Sequence, residues 1–158
     1  MPSSDVLLLA LAIGIVAGLR SLTAPAVVAW AEHRGWLNLH NTSLSFMGST
    51  AAVAIFTILA LVELVADQLP STPARTKAPG LMARIVLGGL SGAAVALAGG
   101  QSAAVGCVVG AVGGVVGAFA GYQVRTGLVR ALKVPDLVIA VLEDLVAVAG
   151  GLFIVTRL

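Results

Sequence analysis

Five long apolar runs, with almost nothing between them that could form a separate soluble unit, set the strongest limit on how this chain can fold. They are Val6 to Trp30, Thr50 to Ala66, Leu81 to Gly99, Ser102 to Tyr122 and Leu137 to Val155. Crossing roughly 30 Å of hydrocarbon takes about 20 apolar residues in a helix. None of the runs alternates with the period of two that a barrel strand needs. Charged residues make up 10% of the 158 positions and hydrophobic ones 59%. Sixteen charged side chains cannot cover a soluble fold of this size, so lipid is the expected solvent. The expectation is an all-α polytopic membrane helix bundle of about five transmembrane helices. It forms a single membrane domain over residues 1–158.

The same composition excludes other classes. A formal charge of +2, with no basic run interleaved with aromatics, argues against nucleic acid. The lone Cys107 offers neither a disulfide nor a metal pair. His33 and His40 flank Arg34 and Trp36, far from any acid cluster. No metal site and no cofactor are expected. No catalytic triad order, phosphate loop or dinucleotide motif supports an enzyme. The opening MPSSDVLLLALAIGIVAG imitates a signal peptide, but it has no basic n-region and contains Asp5. It is read as a retained span.

Arg75, Lys77, Arg84, Arg125, Arg130 and Lys133 gather near two loops on one side, against Arg34 and Arg157 on the other. The positive-inside rule then puts the N-terminus in the cytoplasm and the C-terminus outside a cell membrane. Trp30 and Trp36 would join the outer aromatic belt.

GIVAGLRSLT at residues 14–23 resembles GAFAGYQVRT at 117–126, and ALVELVAD at 60–67 echoes AVLEDLVA at 140–147. An inverted two-helix repeat follows, with halves 1–80 and 101–158 joined by the helix 81–100. Chance likeness between helices rich in Ala, Gly, Val and Leu is the alternative. Gly106, Gly110, Gly114, Gly117 and Gly121 share one helical face, as do Gly88, Gly92, Ala96 and Gly100, and Gly14 and Gly18. Such faces let backbones approach closely in lipid. They either hold the bundle together or mate with a second copy, so a homodimer is expected alongside membrane lipids as partners.

Charges inside spans are costly, about 2.5–3.5 kcal/mol each on insertion scales, and are a functional hypothesis by default. Arg20 lies deep in the first run, Glu63 and Asp67 share one face of the second, and Glu143 and Asp144 lie early in the fifth. Of this last pair, Glu143 is the repeat-equivalent of Glu63 and is expected to share its environment. Pro25 should kink or open the first helix near Ser21. Arg20, Arg125, Glu63, Asp67, Glu143 and Asp144 are therefore the candidate substrate- or ion-binding residues. Arg75, Lys77 and Arg84 are candidates for a lipid headgroup or phosphate. Transport of a small solute or ion is one reading. Structural ion pairs that set helix register are the other, and a lipid-modifying enzyme is a weaker third.

With ELVADQLPSTPART, GLRSLTAPAVVAWA and GYQVRTGLVRALKVPDLVIAVLEDLVAVAGG, nearly the whole chain resembles a bacterial family of small integral membrane proteins carried as a domain of unknown function, of the 4126 type. Glu63, Ala66, Asp67 and Pro70 match its Glu-x-x-Ala-Asp-x-x-Pro segment. The resemblance implies a membrane location and no particular activity.

Overall fold

A computed structural model describes residues 1–67 and 76–158. The chain forms α1 (Ser3–Leu19), α2 (Thr23–His33), a short 3-10 turn (Ser45–Gly48), α3 (Thr50–Ala66), α4 (Ala78–Ala98), α5 (Ala103–Leu132) and α6 (Asp136–Val155). There is no strand among the described residues. Helix is the expected outcome where lipid offers no partner for backbone N–H and C=O groups. The ends are marked by local chemistry. The Ser49 hydroxyl accepts from the Ala52 N–H at 3.2 Å to cap α3. Pro79 stands in the first turn of α4, where no intrahelical bond is lost. Lys133 turns left-handed (φ 53°) to close α5. Three helices, α4, α5 and α6, are long and apolar enough to cross a membrane, and α1 and α3 are shorter apolar helices. The outward faces of α3, α5 and α6 expose Ile58, Leu61, Val108, Val112, Leu145 and Phe153. So much exposed apolar surface fits contact with hydrocarbon.

The first apolar run is not one helix. Arg20 takes an extended backbone (φ −138°, ψ 108°), and a new helix starts at Thr23. Pro25 falls in the first turn of α2, where its missing N–H costs nothing. The expected kink is thus a complete break, and the chain turns back on itself there. Both arms meet one turn of α6: a Cβ on Gly150 would lie 3.9 Å from Val16 Cγ2, and one on Gly151 would lie 3.2 Å from Val27 Cγ2. In one continuous helix those two valines would be separated by about 16 Å along the axis.

From the break, α2 climbs alongside α3 in the opposite direction. Ser21 meets Glu63, Trp30 Nε1 donates to Thr57 Oγ1 at 3.0 Å, and His33 Nδ1 lies 2.9 Å from the Gly48 carbonyl. A segment after α2 caps the hairpin, with Leu37, Leu39 and Met47 buried against it. Glu32 holds that segment by accepting the Leu39 N–H at 2.7 Å.

Two expectations change as a result. α1 runs antiparallel to α4, with Val6 beside Gly99 and the Gly18 carbonyl beside Arg84. It also runs antiparallel to α6, with Arg20 at Asp144 and Val16 at Gly150. Both chain termini therefore lie at one end of the bundle, not at opposite ends, because the first run turns back on itself at Arg20–Leu22. The second change concerns the repeat. Positions Gly110 and Gly113 of α5 face Gly14, and positions Gly114 and Gly117 face Gly18, so α1 and α5 run parallel. An inverted repeat requires them to run antiparallel. The two glycine-arginine stretches also differ in structure, since α5 continues unbroken through Arg125.

The glycine faces are consumed within one chain. Gly110 sits between α1 and α4, touching Gly14 on one side and Gly88 and Gly92 on the other. A Cβ there would strike the Gly88 carbonyl oxygen and lie 2.8 Å from Gly92 Cα. Backbone contact of this kind is what small residues supply when lipid provides no hydrophobic force between helices. It packs α1, α4 and α5 into one unit and leaves these faces unavailable as a dimer surface. The lone Cys107 is exposed beside Gly89.

Candidate functional site

The break between α1 and α2 is held by side chains from three other helices. Arg20 is fully buried, with its side chain 0% exposed. Its Nε donates to Asp144 Oδ1 at 2.5 Å, and its Nη1 donates to Asp67 Oδ2. A guanidinium inside a bundle is tolerated when such partners offset the desolvation. Asp67 sits just past the end of α3 and Asp144 lies in the third turn of α6, so one cation ties the hairpin apex to both.

Glu63 does something different. Its carboxylate accepts the N–H groups of Ser21 and Leu22 at 2.8 Å each and the Ser21 hydroxyl at 2.5 Å. These donors stand at the N-terminus of α2, where unsatisfied N–H groups and the helix dipole favour negative charge. An acid from α3 thus supplies the cap that α2's own sequence lacks, since the N-cap residue is Leu22 and makes no side-chain cap bond.

Arg84 completes the group. It does not lie in the basic loop, where its sequence position suggested a phosphate contact, but is buried within α4. Its Nε donates to the Gly18 carbonyl at 3.0 Å, its Nη1 to the Gly80 carbonyl at 2.9 Å, and its Nη2 lies 3.7 Å from Asp67. The Gly18 carbonyl is one of the acceptors freed where α1 stops. Around the break Arg20 and Arg84 balance Asp67 and Asp144, and Glu63 faces the positive end of α2. Lys77 is exposed at the start of α4. Arg75 and Pro70 lie outside the described residues.

A second cluster joins α5 to α6. Arg125 grips Asp136 with Nε at 2.9 Å and Nη2 at 2.5 Å, and its Nη1 lies 3.5 Å from Glu143. Beside it the two helices splay around a cleft of about 280 Å3 lined by Leu19, Val124, Leu128, Ile139, Leu142 and Val146. Leu19 is the last residue of α1, so the cleft begins where that helix ends.

Sequence reasoning singled out Arg20, Glu63, Asp67 and Asp144, and the fold brings them together at the break. It preferred Glu143 over Asp144 as the neighbour of Glu63's environment. Asp144 is the one that reaches Arg20, while Glu143 pairs with Arg125. That preference rested on the repeat and falls with it. The reading missed Glu32 and the burial of Arg84. A lone acid in an apolar helix was the available signal for Glu32, and a charge three residues past Leu81, where the third apolar run starts, was the signal for Arg84. No group of three or more His, Cys, Asp or Glu side chains stands close enough to hold a metal among the described residues.

Apolar helices sealed by glycine contacts, with costly charges gathered at a broken helix, define a helical protein suited to a membrane. The chain belongs to the family described as Domain of unknown function (DUF4126), whose model matches residues 7–156. No curated protein and no solved structure matches it.

Proposed function

We propose that this protein moves a small solute or ion across a cell membrane, with the α1–α2 hairpin as its substrate-facing element. The observation that carries the reading is the break at Arg20–Leu22, which opens the backbone inside an apolar bundle beside a fully buried arginine. Open backbone at membrane depth is tolerated where it is enclosed by protein or lines a cavity, and discontinuous helices are a recurrent way of building transport sites. In this reading α3, α4, α5 and α6 cross the membrane and the first run makes a re-entrant hairpin, so four crossings replace the expected five. The basic residues Lys77, Arg130 and Lys133 near the α3–α4 and α5–α6 connections make that end cytoplasmic and put both termini outside. A membrane-impermeant thiol reagent should then label a cysteine at Ser4 in intact cells and spare one at Lys133, in a Cys107→Ser background.

The test of transport is flux. Purified protein in liposomes should move at least one of chloride, phosphate, potassium or protons faster than empty vesicles. Arg20→Lys should keep the fold and lose flux, because an ammonium cannot reproduce the forked contact with Asp67 and Asp144. The absence of flux for every solute would sink the reading. One observation favours a second reading, in which the charges only staple helices: Glu63, Asp67, Asp144 and Glu143 all have partners already. That reading expects Arg20→Lys to lower stability with no flux to lose. Neither reading involves enzymatic chemistry.

A further inference from the structure

Helix α1 fills the wedge between α5 and α6 and then stops. Gly117 of α5 lies against Ile15 and Gly18, and Gly150 of α6 faces Val16, so α1 separates the two longer helices down to its last turn. It ends at Leu19, where the chain turns back. α5 runs on to Leu132 and α6 starts at Asp136, and between them the wedge continues as the cleft of about 280 Å3. Leu19 borders the end nearest the break, and Val124, Leu128, Leu142 and Val146 are wall residues that are also exposed. The cleft therefore opens sideways, onto the apolar outer face of the bundle. Arg125, the cation in its wall, is engaged with Asp136 and Glu143.

We propose that this cleft holds one acyl chain of an anionic phospholipid, with the headgroup at the end of the bundle that carries Arg130 and Lys133. Water needs several polar partners, which Leu, Val and Ile walls do not offer, and an unfilled cleft forfeits the dispersion contacts of its lining. Size selects between the apolar occupants. The cleft follows α5 from Ala120 to Leu128, about 12 Å at the helical rise, so its mean section is roughly 25 Å2. A helix of a second copy, about 10–12 Å across and so roughly 80–110 Å2 in section, does not fit, whereas a single hydrocarbon chain does. From Leu132 back to Ala120 is about 18 Å, close to one leaflet of a roughly 30 Å hydrocarbon layer, which sets the chain tip at Leu19. Charge selects the headgroup. From the break to this end the chain carries seven cations, which are Arg20, Arg84 and Arg125 with Arg75, Lys77, Arg130 and Lys133. Five acids stand against them, Glu63, Asp67, Asp136, Glu143 and Asp144. Arg130 and Lys133 are exposed, and a basic surplus between membrane helices is the complement of an anionic headgroup. The site requires a bilayer and not transport; assigning it to the inner leaflet rests on the orientation proposed above.

The experiment is native mass spectrometry of the purified full-length protein, incubated in micelles with phosphatidylglycerol or with phosphatidylcholine of the same chains, alongside thermal unfolding in each lipid. Wild type should retain one phosphatidylglycerol in preference to phosphatidylcholine, on the order of fivefold for each basic residue the headgroup meets. It should also unfold at a higher temperature with that lipid bound. Ala120→Leu and Leu128→Phe each fill the cleft from an exposed position and should lose the retained lipid. Arg130→Gln combined with Lys133→Gln should remove the preference between the two headgroups. Wild type that retains neither lipid, or both equally, overturns the proposal without any variant. So does a cleft-filling variant that folds and keeps the lipid at the wild-type level, or a spontaneous disulfide between two copies of Leu142→Cys in a Cys107→Ser background, which would make the cleft an interface between copies. Flux separates this claim from the transport reading. Retained lipid with no flux of any solute keeps the site and removes transport, and flux with no retained lipid does the reverse.

Discussion

Arg20 and Arg125 each hold two carboxylates, yet they are different devices. The partners of Arg125 lie 11 and 18 residues away and come together through a single helical hairpin. Those of Arg20 lie 47 and 124 residues away, on helices that meet only in the finished bundle. Arg125 grips an Asp136 whose side chain is 61% exposed, while Arg20 is sealed, with its acids 18% and 13% exposed. α5 runs straight through Arg125, but the chain breaks at Arg20. The lesson is that a charge placed close to its partner along the chain leaves its helix intact. A charge that must reach two distant helices sits where the backbone has given way, and there it brings freed carbonyls and N–H groups with it.

This contrast can be broken by measurement. Arg20→Ala should cost about 3–5 kcal/mol, because it strands Asp67 and Asp144 in the interior. Thermal unfolding in detergent reads this, and a loss no larger than that of Arg125→Ala would end the distinction. A double-mutant cycle on Arg20 and Asp144 should return a coupling of about 1.5–3 kcal/mol, against about 1 kcal/mol or less for Arg125 with Asp136. Arg125→Ala should cost about 1–2 kcal/mol, mainly by leaving the buried Glu143 without that partner. Smallest is Thr57→Val, which removes the acceptor for Trp30 at the exposed end of the hairpin and should shift stability by about 0.5 kcal/mol or less. A larger shift there would mean the hairpin is anchored along its length and not at its apex.

Much of the site was legible because charge in an apolar run is conspicuous. Arg20, Glu63, Asp67 and Asp144 could be picked out one by one, since lipid makes each of them expensive. Their pairing was not legible. Glu143 and Asp144 are neighbours in sequence, and only the rotation of α6 against α1 decides which of them reaches Arg20. The hairpin was half legible. Pro25 pointed to a weak place near Ser21, but a kink and a reversal leave the same local trace. What separates them is Glu63, forty residues on, which satisfies the N–H groups of a second helix beginning at Thr23. The likeness of GIVAGLRSLT to GAFAGYQVRT was real as a pattern of small residues and misleading as topology. Both glycine rows serve close packing, and they pack against each other in parallel.

By itself the sequence determined that this chain is helical, apolar on nearly every face, built on glycine contacts and charged at a few costly points. Those properties follow from composition and from the need of a backbone in lipid to satisfy itself within each segment. The tertiary structure decided that the first run folds back, that the two termini share one end, and that Asp144 and Arg84 join the break. Those outcomes depend on partners far away along the chain. No local preference could specify them, because the groups that make the break stable belong to other helices.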